Sequence, residues 1–164
     1  MIKEQSHVFV DTMIIIEAHR MGCWRALLNH YRLDTVQKCM EECETGNQHK
    51  RNFVPVDTRA LQADLSPKSV RPVDIAAFTL RYPGAVDLDP GEKELLAYVL
   101  TLESGSYFIC SCDRACLRAG FAVGLTDFFV SFEKLVNGTG QRAQLKEQYK
   151  KTWLETERTK LRLE

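Results

Sequence analysis

The sequence has no surplus of charge of either sign: among 164 residues, 22 Lys and Arg stand against 22 Asp and Glu, for a net charge of +0 with His neutral. A broad nucleic-acid-binding surface is therefore not expected, and any site for a polyanion has to be local. No apolar run reaches the roughly 18 residues that suggest a membrane span, and none of the composition suggests a membrane class. The start, "MIKEQSHVFV", lacks the charged-apolar-small order of a signal peptide, so the expected location is cytoplasmic. A glycine-rich phosphate loop is missing after the first apolar stretch, which argues against a nucleotide-binding protein. Internal repeats and low-complexity segments are also missing. Cysteine is not scarce, at six residues, but the paired loop knuckles of a zinc site are. Cys39/Cys43 and Cys112/Cys116 have the spacing of one helix face, and Cys110/Cys112 alternate along a strand. Reduced, buried thiols are the expectation.

What remains is a chain of 45% hydrophobic and 27% charged residues, suited to one domain with a sizeable core. "HVFVDT" reads as a strand that passes into a helix through "MIIIEAHRMGCWRALLNHY", and "YRLDTV" reads as a second strand followed by the helix "QKCMEECETG" with Gly46 as its stop. From about residue 47 to 83 the pattern is broken by Pro55, Pro67 and Pro72, with helices expected at "DTRALQADLS" and "RPVDIAAFTLRY". "AVDLDPGEKELLAYVLTLESG" predicts a short extended piece, then a helix with Asp89 as N-cap and Pro90 at its first position. "SYFICSCD" is a clear strand, and "RACLRAG" a short helix closed by Gly120. "AVGLTDFFVSFEKLV" holds one short strand and a helical turn, and "QRAQLKEQYKKTWLETERTKLRLE" has the composition of a long helix. Strands and helices alternating at these lengths imply an α/β fold with a mainly parallel sheet.

In such sheets ligands bind in the crevice at the carboxyl ends of the strands. Asp11 and Asp113 end the two strongest predicted strands, Glu92 lies in the first turns of the helix opened by "DPGE", and Glu42 lies on the helix after the second strand. Each has a bland alternative. Asp11 and Asp113 are good N-caps, Asp89 to Glu92 has the form of a capping box, and Glu42 could be a solvated helix residue. As a set, carboxylates sharing one crevice repel one another, and such clusters usually serve to hold cations. Oxygen-only ligands favour Mg²⁺ or Mn²⁺.

These motifs, "VFVDTMIII", "MEECETG", "LDPGEKELLAYVL" and "FICSCDRACLRAG" with "VSFEKLV" after it, together resemble the PIN domain, a family of metal-dependent nucleases that includes toxin ribonucleases. The resemblance runs from about Val8 to Val136. It implies a three-layer α/β/α fold with a central, mainly parallel sheet over residues 1–138; the helical extension expected over 139–164 rests on composition and lies outside the resemblance. It also implies a nuclease, most probably a ribonuclease, acting on RNA or another single-stranded nucleic acid, with Mg²⁺ or Mn²⁺ held by Asp11, Glu42, Glu92 and Asp113, where the family keeps its acids. Glu42 is preferred to Glu41 because Gly46 follows at the family's Glu-x-x-x-Gly distance. The further acid often found after the fourth motif is replaced here by Arg114, Ala115 and Cys116, with Asp127 as a distant substitute. The competing expectation is a catalytically inactive interaction or scaffold protein, with a protein partner or a second copy docking on the last helix. That segment carries seven Lys and Arg against four Asp and Glu, a mixture more typical of a solvated face.

Overall fold

The computed structural model describes residues 2–45 and 55–164. Gly46, expected to stop a helix, lies outside them. The architecture is mixed α/β, built on three short strands, β1 (His7–Val10), β2 (Arg32–Asp34) and β3 (Phe108–Cys110). They pair in parallel in the order β2-β1-β3. Val8 is level with Leu33 on one side and Phe108 on the other. Single parallel bridges join Ile109 to Phe129 and Val36 to Lys68 beyond the named strands.

Side chains alternate across a strand, and β1 shows the consequence. Val8 and Val10 enter one apolar cluster with Ile14, Leu27 and Phe132, whereas Phe9 enters another with Leu95, Ile109 and Phe129. Both faces of the central strand are thus buried. Helices α1 (Thr12–Arg20), α2 (Trp24–His30), α3 (Gln37–Thr45), α4 (Thr58–Asp64), α5 (Pro72–Arg81), α6 (Pro90–Val99), α7 (Arg114–Ala122), α8 (Phe132–Gly138) and α9 (Lys151–Leu163) surround the sheet.

Several boundaries differ from the expectation. The first helix is two helices, because Gly22 takes φ +67° and turns the chain between them. The piece before Pro90 is a 3₁₀ turn over Pro83–Asp87 rather than extended chain. Helix α7 does not close at Gly120 but runs to Ala122 and turns at Gly124, φ +85°. Gly120 is interior because a Cβ there would meet the Phe129 ring. The strand expected near Phe129 amounts to one bridge, preceded by a 3₁₀ turn over Thr126–Phe128. The last helix is shorter than its composition suggested: 13 residues, after a separate 3₁₀ turn at Glu147–Tyr149.

Helix α9 lies on the body of the protein. Leu154 is buried in the second cluster, and the backbone N–H of Lys151 donates to the Glu133 carboxylate at 2.8 Å. The Arg158 guanidinium donates to the carbonyls of Thr126 and Phe129, at 2.8 and 2.6 Å. Leu154→Ala should therefore lower the unfolding free energy by about 2–5 kcal/mol, read from urea denaturation. A loss under about 0.5 kcal/mol, the range of ordinary surface changes, would show that the helix is separable from the core.

Candidate functional site

Parallel pairing puts the ends of β1 and β3 on one edge, and that edge is where Asp11 and Asp113 emerge. Asp11 follows Val10 directly and caps α1: its Oδ1 accepts from the Ile14 amide at 2.9 Å. Asp113 caps α7, with Oδ1 accepting from the amides of Ala115 and Cys116 at 2.6 and 3.1 Å. The capping reading is thus correct for both residues. It accounts for one oxygen of each. Asp11 Oδ2 is buried without a hydrogen-bond partner, in a residue only 3% exposed. Groups of this kind are uncommon in native proteins and call for an explanation.

The third acid is held differently. Asp89 stands at the N-cap of α6 but its side chain makes no capping bond, so of the capping box that "DPGE" allows only the half from the Asp89 amide to the Glu92 carboxylate remains. Glu42 supplies the cap from α3: its Oε1 accepts from the Gly91 amide at 2.8 Å, and its Oε2 accepts from the Thr12 hydroxyl at 2.6 Å. Gly91 permits this approach, since a Cβ there would run into the Glu42 carboxylate. Glu41 points elsewhere, into an ion pair with Lys38 at 3.0 Å. Three helix N-termini therefore each hold one carboxylate, and their partial positive charge offsets some of the repulsion among the acids.

Glu92, in the first turn of α6, is perturbed more than Asp11. Burial, then the charges of Asp113, Asp11 and Asp89, push its pKa up to about 8. Burial likewise raises Asp11 to about 6, opposed by the nearby Ser111 hydroxyl and the Ile14 amide, with the charges of Asp113 and Glu42 adding to the rise. The thiols of Cys39, Cys43, Cys110, Cys112 and Cys116 are all pushed up, first by burial, with the negative charge of Asp11 contributing to each. They stay neutral, and all six cysteines are free. A thiolate metal site does not suit this environment.

The acids open onto a cleft of about 580 Å³ lined by Met13, Asp89, Glu92, Cys112, Asp113, Arg114, Glu147, Gln148 and Trp153. Glu92 and Asp113 reach it directly. Asp11 lies buried and Glu42 is engaged by Thr12 and Gly91, so the four are neighbours without being equivalent. Asp127 does not line the cleft; it is 89% exposed, 3.9 Å from Arg162. Among the described residues no group of three or more His, Cys, Asp or Glu side chains is placed to hold one metal ion. The donor chemistry still fits a hard cation, because carboxylate oxygens predominate and Asp11 Oδ2 is bare. Among the described residues no helix is long and apolar enough to cross a membrane.

The sequence reading missed Gly91 as the seat of Glu42, and Arg114, Glu147 and Trp153 as walls of the cleft. Nothing in the local pattern marks them, since the cleft forms only when α6, α7 and α9 meet. No protein-family model matches the chain, and no curated protein matches it in sequence.

The raised carboxyls set a pH dependence. Glu92 moves from an ordinary 4.5 to about 8, so between those values the folded protein binds more protons than the unfolded chain. Its contribution is fully present below about 4.5 and is lost as pH rises through about 8. Asp11 acts in the same direction between 3.8 and about 6. In metal-free buffer the melting temperature should fall from pH 5 to pH 8.5. Glu92→Gln should flatten the upper part of that decline and melt higher than wild type at pH 8.5. A wild-type protein that gains stability over this range would contradict the burial of Glu92.

Proposed function

We propose that the protein is a metal-dependent nuclease of PIN type, most simply a ribonuclease, with helices on both faces of its parallel sheet forming the α/β/α layers of that fold. The observation that carries this reading is the bare, buried Oδ2 of Asp11 beside Glu92 and Asp113 at the carboxyl edge of the sheet. A fold does not keep mutually repelling carboxylates at one crevice without compensation, and a bound cation provides it.

Asp11, Glu92 and Asp113 are the residues that would hold Mg²⁺ or Mn²⁺, and Glu42 completes the set of four. When bound, such an ion supplies Lewis-acid activation of water and neutralises charge on the phosphodiester. The protein's own groups do the rest. The helix amides fix Asp11 and Asp113 through Oδ1 and leave the second oxygen of each free of capping bonds. Glu42 ties the first turn of α6 to α3 and so sets the position of Glu92, while the Thr12 hydroxyl holds Glu42. The cation also removes the objection that an acidic cleft repels phosphate.

A catalytically inactive scaffold of the same fold is the second reading, favoured by one observation. Both oxygens of Glu42 already accept a hydrogen bond from the protein, which leaves each only its second lone pair for a cation.

Melting with and without Mg²⁺ or Mn²⁺, together with RNA cleavage, tests the proposal. Asn caps a helix about as well as Asp, so Asp113→Asn keeps α7 intact. It should melt higher than wild type without metal, lose most of the metal-induced stabilisation, and cleave RNA at least about a hundredfold more slowly. EDTA should stop cleavage by the wild type. Equal metal-induced shifts in wild type and variant would refute the metal site, and metal binding without cleavage would favour the scaffold.

A further inference from the structure

The cleft at the carboxylates has a composition that restricts how it can bind a substrate. Its lining contains four carboxylate residues, Asp89, Glu92, Asp113 and Glu147, against one cation, Arg114. Attraction between the protein's own charges and a phosphate backbone cannot supply the affinity here, in contrast to the usual case for nucleic acids. What the lining offers instead is the indole of Trp153, the thioether of Met13, which is 47% exposed, and the carboxamide of Gln148. Trp153 is half-buried, with part of its surface packed against the second apolar cluster. The next residue, Leu154, is buried, and Arg114 pairs with Glu157 at 3.2 Å, joining α9 to α7. The indole is therefore on a fixed wall of the cleft, one helical turn from Glu157 and its partner Arg114. The volume, about 580 Å³, lies within the roughly 300–1,000 Å³ of small-ligand sites.

We propose that Trp153 is the stacking platform for an unpaired base of a single-stranded RNA in this cleft, with Arg114 placed for an adjoining phosphate; this assigns the substrate form and rests on the nuclease reading above. Bases in a duplex are already stacked, so only an unpaired nucleotide can present its face to the indole. Stacking on an aromatic side chain tolerates any base, so Trp153 selects for strandedness and not for sequence. The role goes to α9, outside the region that carries the acids.

Tryptophan fluorescence reads the contact directly, and the difference between wild type and Trp153→Phe separates it from Trp24, which stacks on His19 with ring centroids 4.9 Å apart. In Mg²⁺, short oligoadenylate should quench wild type saturably, and a duplex RNA should not. Trp153→Leu should weaken binding by about tenfold, and Trp153→Phe by much less. Cleavage, followed in parallel, should lose through KM and not kcat. No quenching, equal quenching by duplex, or undiminished binding by Trp153→Leu would overturn the inference. So would quenching by an oligoarginine peptide in place of RNA, which would make the cleft a site for a basic protein segment. Mg²⁺-dependent cleavage unaffected at Trp153 would overturn this inference and leave the nuclease standing. Single-strand binding through Trp153 without cleavage would do the reverse.

Discussion

Parallel hydrogen bonding on both edges of β1 is the constraint on which the rest of the molecule depends. A strand with partners on both sides and apolar side chains on both faces has nowhere to place a charge except at its ends. Because β2 and β3 run the same way, their ends fall on the same edge. Parallel strands also require helical crossovers, and those helices begin at that edge. The meeting of α1, α6 and α7 N-termini at one crevice follows from this geometry.

The acids use that convergence twice. A helix N-terminus leaves free amides and a partial positive charge, and each of the three here is met by a carboxylate: Asp11 on α1, Glu42 on α6, Asp113 on α7. Capping lowers the cost of bringing negative charges together. It does not remove that cost, as the raised Glu92 and the bare oxygen of Asp11 show. The capping role and the proposed cation-binding role are therefore compatible. One oxygen of an aspartate can hold the helix while the other faces the crevice.

Helix α9 connects the body of the protein to the mouth of the cleft. Its inner face contributes Leu154 to the core, its Arg158 bonds two carbonyls of the segment Thr126–Phe129, and its first turn presents Trp153 to the cleft. The same helix thus contributes to stability and to the shape of the opening. Its Lys151 and Lys160 pair with its own Glu155 and Glu157, and its Arg158 bonds the body.

The sequence by itself determined the α/β class, the three strands and the identity of the acids at their ends, because these depend on local apolar patterning and on residue spacing. Glu42, chosen over Glu41 as a ligand, turns toward Thr12 and Gly91 and caps α6, a role the sequence reading did not give it, while Gly46, which prompted that choice, lies outside the described residues. Glycine positions misled at Gly120 and were overlooked at Gly22, since a glycine can stop a helix by its backbone or admit a neighbouring ring by lacking a Cβ. Only the tertiary structure decided that Glu42, and not Asp89, would cap α6 from its side chain, that Asp11 would be buried with one oxygen bare, and that Trp153 would line the same cleft as Glu92 and Asp113. Each of these rests on atoms brought together from distant parts of the chain, and no local period in the sequence records such a meeting.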